Sequence, residues 1–351
     1  MNRKIALIAA VSMAIIVAVS AFALTAPKNG GVSTGVIPPN SLCSLQLVQS
    51  IPMPNTAGRI DHMDVDIAGQ RLFVATLGND SLGVIDLSSG KLVHSITGLS
   101  RPQGVSFIPG LDKIYVSNAG DGTVDVFNGS SYQLIKAILL TSDADNMRYD
   151  ATSKLVYVGY GDGGIALINA TSDNEVGHFD LPGHPESFQL ENPGPRIFVN
   201  IPSAGSYVAV IDRSTNSTVS QWAVAGGSEN FPMALDEGHH RLYVGLRAPA
   251  ELVVLDTDSG KVITTVSVPQ DPDDIFYDSN NGCVYVSSGQ GFIAVIKQVG
   301  QDHYESLGSI PTSSGSRTSL LVPELNRLYV AVPQSGGGGA EILVYQLPLS
   351  T

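Results

Sequence analysis

Carboxylates recur at regular distances along this chain. Asp61, Asp145, Glu186 and Asp273 lie multiples of about 42 residues apart, and Asp274 follows the last. Brought to one place, such groups repel unless water, protons or a cation neutralise them. An oxygen-rich set suits calcium or magnesium, so Asp61, Asp145, Glu186 and Asp273 are candidate ligands of a divalent cation. His62, beside Asp61, would widen the range to zinc or manganese. The competing neutralisers are internal, because Arg317, Arg148 and Arg247 could pair with the acids without a metal. A catalytic reading uses His62 as general base, Glu186 or Asp145 as its partner and Arg317 as an anion or oxyanion stabiliser. Against it, the chain has no H-E-x-x-H, and without a helical period after residue 40 it lacks the strand-to-helix turn that a nucleophile elbow or a Gly-rich phosphate loop needs.

The elements that must position these residues are repeats. An aliphatic residue, an aromatic and Val recur as Leu72-Phe73-Val74, Ile114-Tyr115-Val116, Val156-Tyr157-Val158, Ile197-Phe198-Val199, Leu242-Tyr243-Val244, Val284-Tyr285-Val286 and Leu328-Tyr329-Val330. The aromatics are 42, 42, 41, 45, 42 and 44 residues apart. Each interval holds four short runs rich in β-branched and aromatic residues, punctuated by Gly, Asp, Asn and Ser. In the second unit they fall near 103–108, 112–118, 123–128 and 132–140. No segment after residue 40 keeps a helical period. Four strands per unit is the arithmetic of a propeller blade, so the spacing predicts an all-β, seven-bladed β-propeller over 41–351. The seventh unit supplies only three strands, near 317–322, 327–332 and 341–346. Residues 45–53 resemble an outer strand and are expected to complete that blade and close the ring.

In a propeller the innermost strand of each blade lines the axis, and its start lies on the face that usually binds ligands. The position twelve residues before each repeated aromatic marks that start: Asp61, Gln103, Asp145, Glu186, Phe231, Asp273 and Arg317. The next position holds His62, Gly104, Asn146, Ser187, Pro232, Asp274 and Thr318. These rows differ from blade to blade while the neighbouring apolar positions repeat, which is what a binding site needs. The expected ligand-binding set is Asp61, His62, Gln103, Asp145, Asn146, Glu186, Asp273, Asp274 and Arg317. Its ligand would be a cation, a small molecule or a protein partner. Asp66, Asp150, Asp236 and Asp278, at one equivalent place, read as turn formers, as do Asp86, Asp212 and Asp256. The repeated aromatics read as core between blades.

Tyr115-Val116-Ser117-Asn118 and Pro102-Gln103-Gly104-Val105 carry a resemblance to the YVTN-type, lactonase-like β-propeller repeat proteins, extending over residues 45–348. The segments 143–150, 184–190, 230–236 and 317–319 look like those of a secreted or periplasmic subgroup. No verbatim Y-V-T-N occurs, and blades four to seven start irregularly. The resemblance implies metal-assisted hydrolysis or lyase chemistry on a lactone-like substrate as the alternative to a binding module. A structural cell-surface protein is the third class.

Acids outnumber bases 32 to 19, a net charge of −13, which argues against nucleic acid or an anionic lipid surface as the main partner. Arg3 and Lys4 precede an uncharged apolar run from Ile5 to Leu24, with Ala21-Phe22-Ala23 as a cleavage motif. Residues 1–24 are expected to be a signal peptide or a membrane anchor, the only membrane contact foreseen. Residues 25–40, rich in Gly, Pro, Ser and Thr, read as a flexible linker. Both readings of the first segment place the rest outside the cytoplasm: secreted, periplasmic or anchored facing outward. Cys43 and Cys283 are the only thiols. An oxidising compartment permits a bond between them if their Cα atoms approach within about 7 Å, although the repeat assigns them to different strand layers.

Overall fold

The computed structural model describes residues 43–348 apart from 162, 204, 225, 336 and 337, so the signal or anchor segment 1–24 and the linker 25–40 lie outside the described residues. The described residues form seven four-stranded antiparallel sheets. Blade two, for example, runs Pro102–Ile108, Lys113–Asn118, Thr123–Asn128 and Leu134–Leu139 from axis to rim. The inner strands of the other blades are Met63–Asp66, Met147–Asp150, Phe188–Leu190, Ser228–Asp236, Pro272–Asp278 and Ser319–Val322. The fourth strand of blade seven comes from the opposite end of the sequence: Gln46–Met53 pairs antiparallel with Ala340–Gln346.

The core lies between adjacent blades. Tyr115 of blade two, fully buried, packs with Met147, Val156 and Val158 of blade three. All seven repeated aromatics are at most 3% exposed, so the recurring pattern is an inter-blade core. Burying each such side chain contributes about 1.5–3 kcal/mol. The repeated acids hold turns, as their spacing suggests. Asp66 accepts the Gly69 N–H at 2.8 Å, Asp150 that of Thr152 at 2.9 Å and Asp278 that of Asn280 at 3.1 Å. Asp86, Asp212 and Asp256 accept the N–H groups of Ser89, Ser214 and Ser259.

Every outer strand carries one extra residue relative to its neighbour. The skipped positions include Val48, Val93, Ile135 and Val176, all exposed. Such bulges twist an edge strand and discourage edge-to-edge pairing.

Cys43 and Cys283 form a disulfide, with Cα atoms 5.7 Å apart. It ties the chain just before Gln46–Met53 to the second strand of blade six, inside a cluster with Tyr285, Leu328 and Tyr345. Layer position in the repeat therefore did not keep them apart, because the lead into the first strand crosses to the neighbouring blade. The bond suits an oxidising, extracytoplasmic environment. Among the described residues no helix is long and apolar enough to cross a membrane.

Candidate functional site

Residues at or just before the starts of the inner strands converge at one end of the axis. They surround a small cavity of about 30 Å³. Of the expected set, His62, Asp145, Asn146, Glu186, Asp273 and Asp274 line it, together with Arg59, Ser187 and Phe231. Asp61, Gln103 and Arg317 do not. Asp61 is 1% exposed and is paired with Arg59. Gln103 is buried and accepts the His62 N–H through its backbone carbonyl at 3.2 Å. Arg317 is turned toward Asp271.

Arginines take up Asp61, Asp271 and Asp273. Arg59 Nη2 lies 2.8 Å from Asp61 Oδ2. Arg247 binds Asp273 and sits 3.0 Å from Asp271, with its guanidinium 3.7 Å from the centre of the Phe231 ring. Arg317 reaches Asp271 at 2.9 Å and Asp273 at 3.5 Å. Asp145 faces His184 Nε2 at 3.8 Å, while His184 Nδ1 meets the Gly161 carbonyl at 2.6 Å. His62 stands between Asp61 at 3.7 Å and Asp274 at 3.9 Å.

Two expected groupings are not assembled. Among the described residues no set of three or more His, Cys, Asp or Glu side chains is placed to hold a metal ion as the side chains stand. Arginines hold Asp61 and Asp273, Asp145 faces His184, and Glu186 has no ion-pair partner within 4.0 Å among the described residues. The catalytic grouping is also dispersed. His62 faces Asp61 and Asp274 rather than Glu186 or Asp145, and Arg317 is occupied by two carboxylates. Arg148, the third expected neutraliser, has no carboxylate within 4.0 Å among the described residues and lines the channel described below.

Burial sets the electrostatics of the mouth. It pushes the Asp61 carboxyl up to about 8, outweighing Arg59 beside it. It raises Asp274 to about 7, against the opposing pull of His62. Glu186 is held well above the usual carboxylate range by burial and by Asp145. Burial alone would lower His184, but the Asp145 carboxylate and the Gly161 carbonyl hold it above its ordinary value.

Beyond the mouth, the axis widens into a channel of about 460 Å³ lined by inner-strand residues of all seven blades. His62, Asn146, Ser187 and Asp274 border both spaces. Asp64 faces this channel, and burial raises its carboxyl to about 6 although Phe107 and Val65 donate N–H groups to it.

Three residues of the mouth escaped the sequence reading: Arg59, His184 and Asp271. Each stands two positions before a residue of the marked row, Asp61, Glu186 and Asp273. A charged row at that offset was visible. Its relevance was not, because a backbone turn folds it back over the axis. Asp271 adopts the left-handed conformation there, with φ 61°, which Asp tolerates better than most residues.

No family model matches the chain, and no curated protein matches it in sequence. Solved structures do. A chain of the Kuenenia stuttgartiensis hydrazine synthase is 16% identical with a TM-score of 0.72, covering 84% of this chain and 98% of that one. A chain of the mitotic checkpoint complex is 11% identical with a TM-score of 0.72, covering 95% and 99%. At such identities the likeness is one of fold alone.

Proposed function

We propose that this propeller is an extracytoplasmic binding module whose axial mouth receives one cationic group, the tip of a basic side chain on a protein partner. Glu186 carries this reading. Its carboxylate lines the mouth and has no ion-pair partner within 4.0 Å among the described residues, whereas Asp61, Asp271 and Asp273 each hold an arginine. An entering ammonium or guanidinium would complete the set and favour the ionised form of Glu186. The cavity of about 30 Å³ is far below the roughly 300–1,000 Å³ of small-molecule pockets, which favours a single charged tip over a whole small ligand. The hydrolase alternative draws its support from the resemblance at Tyr115–Asn118, and the pairing of Arg317 with Asp271 weighs against it.

The test is calorimetric titration with N-acetylargininamide, which has a basic side chain and no free carboxylate. Saturable binding, weakened at least tenfold by Glu186→Gln, is expected. No binding, or equal binding by the variant, overturns the reading and favours a structural surface role.

A further inference from the structure

The axial channel differs chemically from the mouth. Its walls carry both signs of charge, held apart. Arg148 projects from the inner strand of blade three with its donors only partly used. Nη1 gives a 2.7 Å bond to the Met147 carbonyl and a long 3.4 Å contact to Asn146 Oδ1. Nη2 reaches Ser187 Oγ at 3.4 Å, and the Phe188 ring lies 5.5 Å from the guanidinium carbon. Arg59, Arg247 and Arg317 all have carboxylates in ion-pairing range, but Arg148 has none among the described residues. Burial lowers its pKa, against the pull of Asp274, Asp64 and Asp145. A withdrawn cation without a counter-charge is costly, and a ligand can supply one.

Asp64 and Asp274 face the same channel. Asp274 gives one oxygen to the Ser319 N–H at 2.7 Å, and its other oxygen lies 3.9 Å from His62. The wall around these charges is mixed, with Ser106 and Gln189 beside the partly buried Phe276 and Leu320.

We propose that this channel binds a small zwitterion with an apolar body, of the α-amino acid class. Its carboxylate would meet Arg148 and Ser187, its ammonium would face Asp274 and Asp64, and its side chain would rest on Phe276 and Leu320. An anion alone would gain Arg148 but confront two acids, and a cation alone would do the reverse. The volume of about 460 Å³ falls in the range of small-molecule pockets, about 300–1,000 Å³. Entry does not require the narrow mouth. Arg148, Tyr149 and Gln189 also line an open cleft of about 490 Å³ that continues past Asp150 and Leu190, at the far ends of the inner strands of blades three and four.

The experiment is calorimetric titration of the full chain with L-leucine and L-phenylalanine. The controls are isoamylamine, which lacks the carboxylate of leucine, and 4-methylpentanoate, which lacks its ammonium. Saturable binding of an amino acid is expected, with each half-molecule at least tenfold weaker. Arg148→Gln should weaken the amino acid at least tenfold, and Arg148→Lys less. Should Arg148→Gln fail to fold, the half-molecule comparison on the unaltered chain decides. Absence of amino-acid binding, a half-molecule that binds as tightly, or unchanged binding by a folded Arg148→Gln overturns the proposal and leaves a water-filled passage. The mouth is probed separately by the capped arginine and Glu186→Gln, so either reading can fail without the other.

Discussion

Asp64, on the inner strand of blade one, accepts the backbone N–H of Phe107 in blade two at 2.7 Å. Other blades make the same lateral connection with different chemistry. The Ser117 hydroxyl of blade two donates to the Asp145 carbonyl of blade three. The Gln189 amide of blade four donates to the Met233 carbonyl of blade five at 2.9 Å. Asp274 of blade six accepts the Ser319 N–H of blade seven at 2.7 Å, and Thr318 donates to the Ile60 carbonyl at 3.3 Å, joining blade seven to blade one. One structural task is thus met by unlike residues. Variation from blade to blade near the axis was expected to mark a binding site, yet part of it serves this stapling.

The Asp64 clasp can be tested by what each replacement leaves behind. Asp64→Asn keeps an acceptor oxygen for the Phe107 N–H. Asp64→Ala strands that donor in a buried place, at a cost of about 1–3 kcal/mol. Chemical denaturation should find the Ala variant clearly less stable than the Asn variant. Equal midpoints would remove the clasp from the account.

Gly104 sits beside the axial channel where blade two meets blade three. A Cβ there would lie 2.4 Å from the Asp145 carbonyl oxygen and 2.5 Å from Ser117 Oγ. The first obstacle is backbone and cannot rotate away. Gly104→Ala should cost about 1–3 kcal/mol through overpacking. A denaturation midpoint matching the parent would show that the blades yield.

Stability should fall as pH rises across the neutral range. Asp61, Asp274, Glu186 and His184 all have folded pKa values above their ordinary ones. Such groups stabilise fully below the unfolded pKa, and that contribution is lost as pH rises through the folded value. For Asp61 the window runs from 3.8 to about 8, and for Asp274 from 3.8 to about 7. Glu186→Gln removes one of these groups. The variant should match the parent near pH 4 and exceed it near pH 8.5 by on the order of 1 kcal/mol. Thermal melts at the two pH values check this, and a variant weaker at the higher pH would mean that Glu186 has a partner in the folded protein.

The disulfide spans 240 residues of sequence, so it removes much conformational freedom from the unfolded chain. Replacing both cysteines by Ser should cost about 2–5 kcal/mol. Thermal melting with and without a reductant offers a second readout. Insensitivity of both would show that packing around Tyr285 and Tyr345 holds the segment without the bond.

The seven blades, their core aromatics and their turn acids were legible in the sequence. Strand periodicity and turn chemistry are local properties, and a repeat near 42 residues prints them seven times. The row of residues at the axis was legible for the same reason, since it keeps a constant offset from Phe73, Tyr115 and their counterparts. Which charges meet was decided only in three dimensions. Arg59, His184 and Asp271 reach the mouth because the chain turns back before each inner strand. Arg247 settles on Phe231 and claims Asp273, while Arg148 has no ion-pair partner within 4.0 Å among the described residues. Ion pairing depends on ångström-scale approach between side chains from different blades, and no spacing along a single chain encodes that distance.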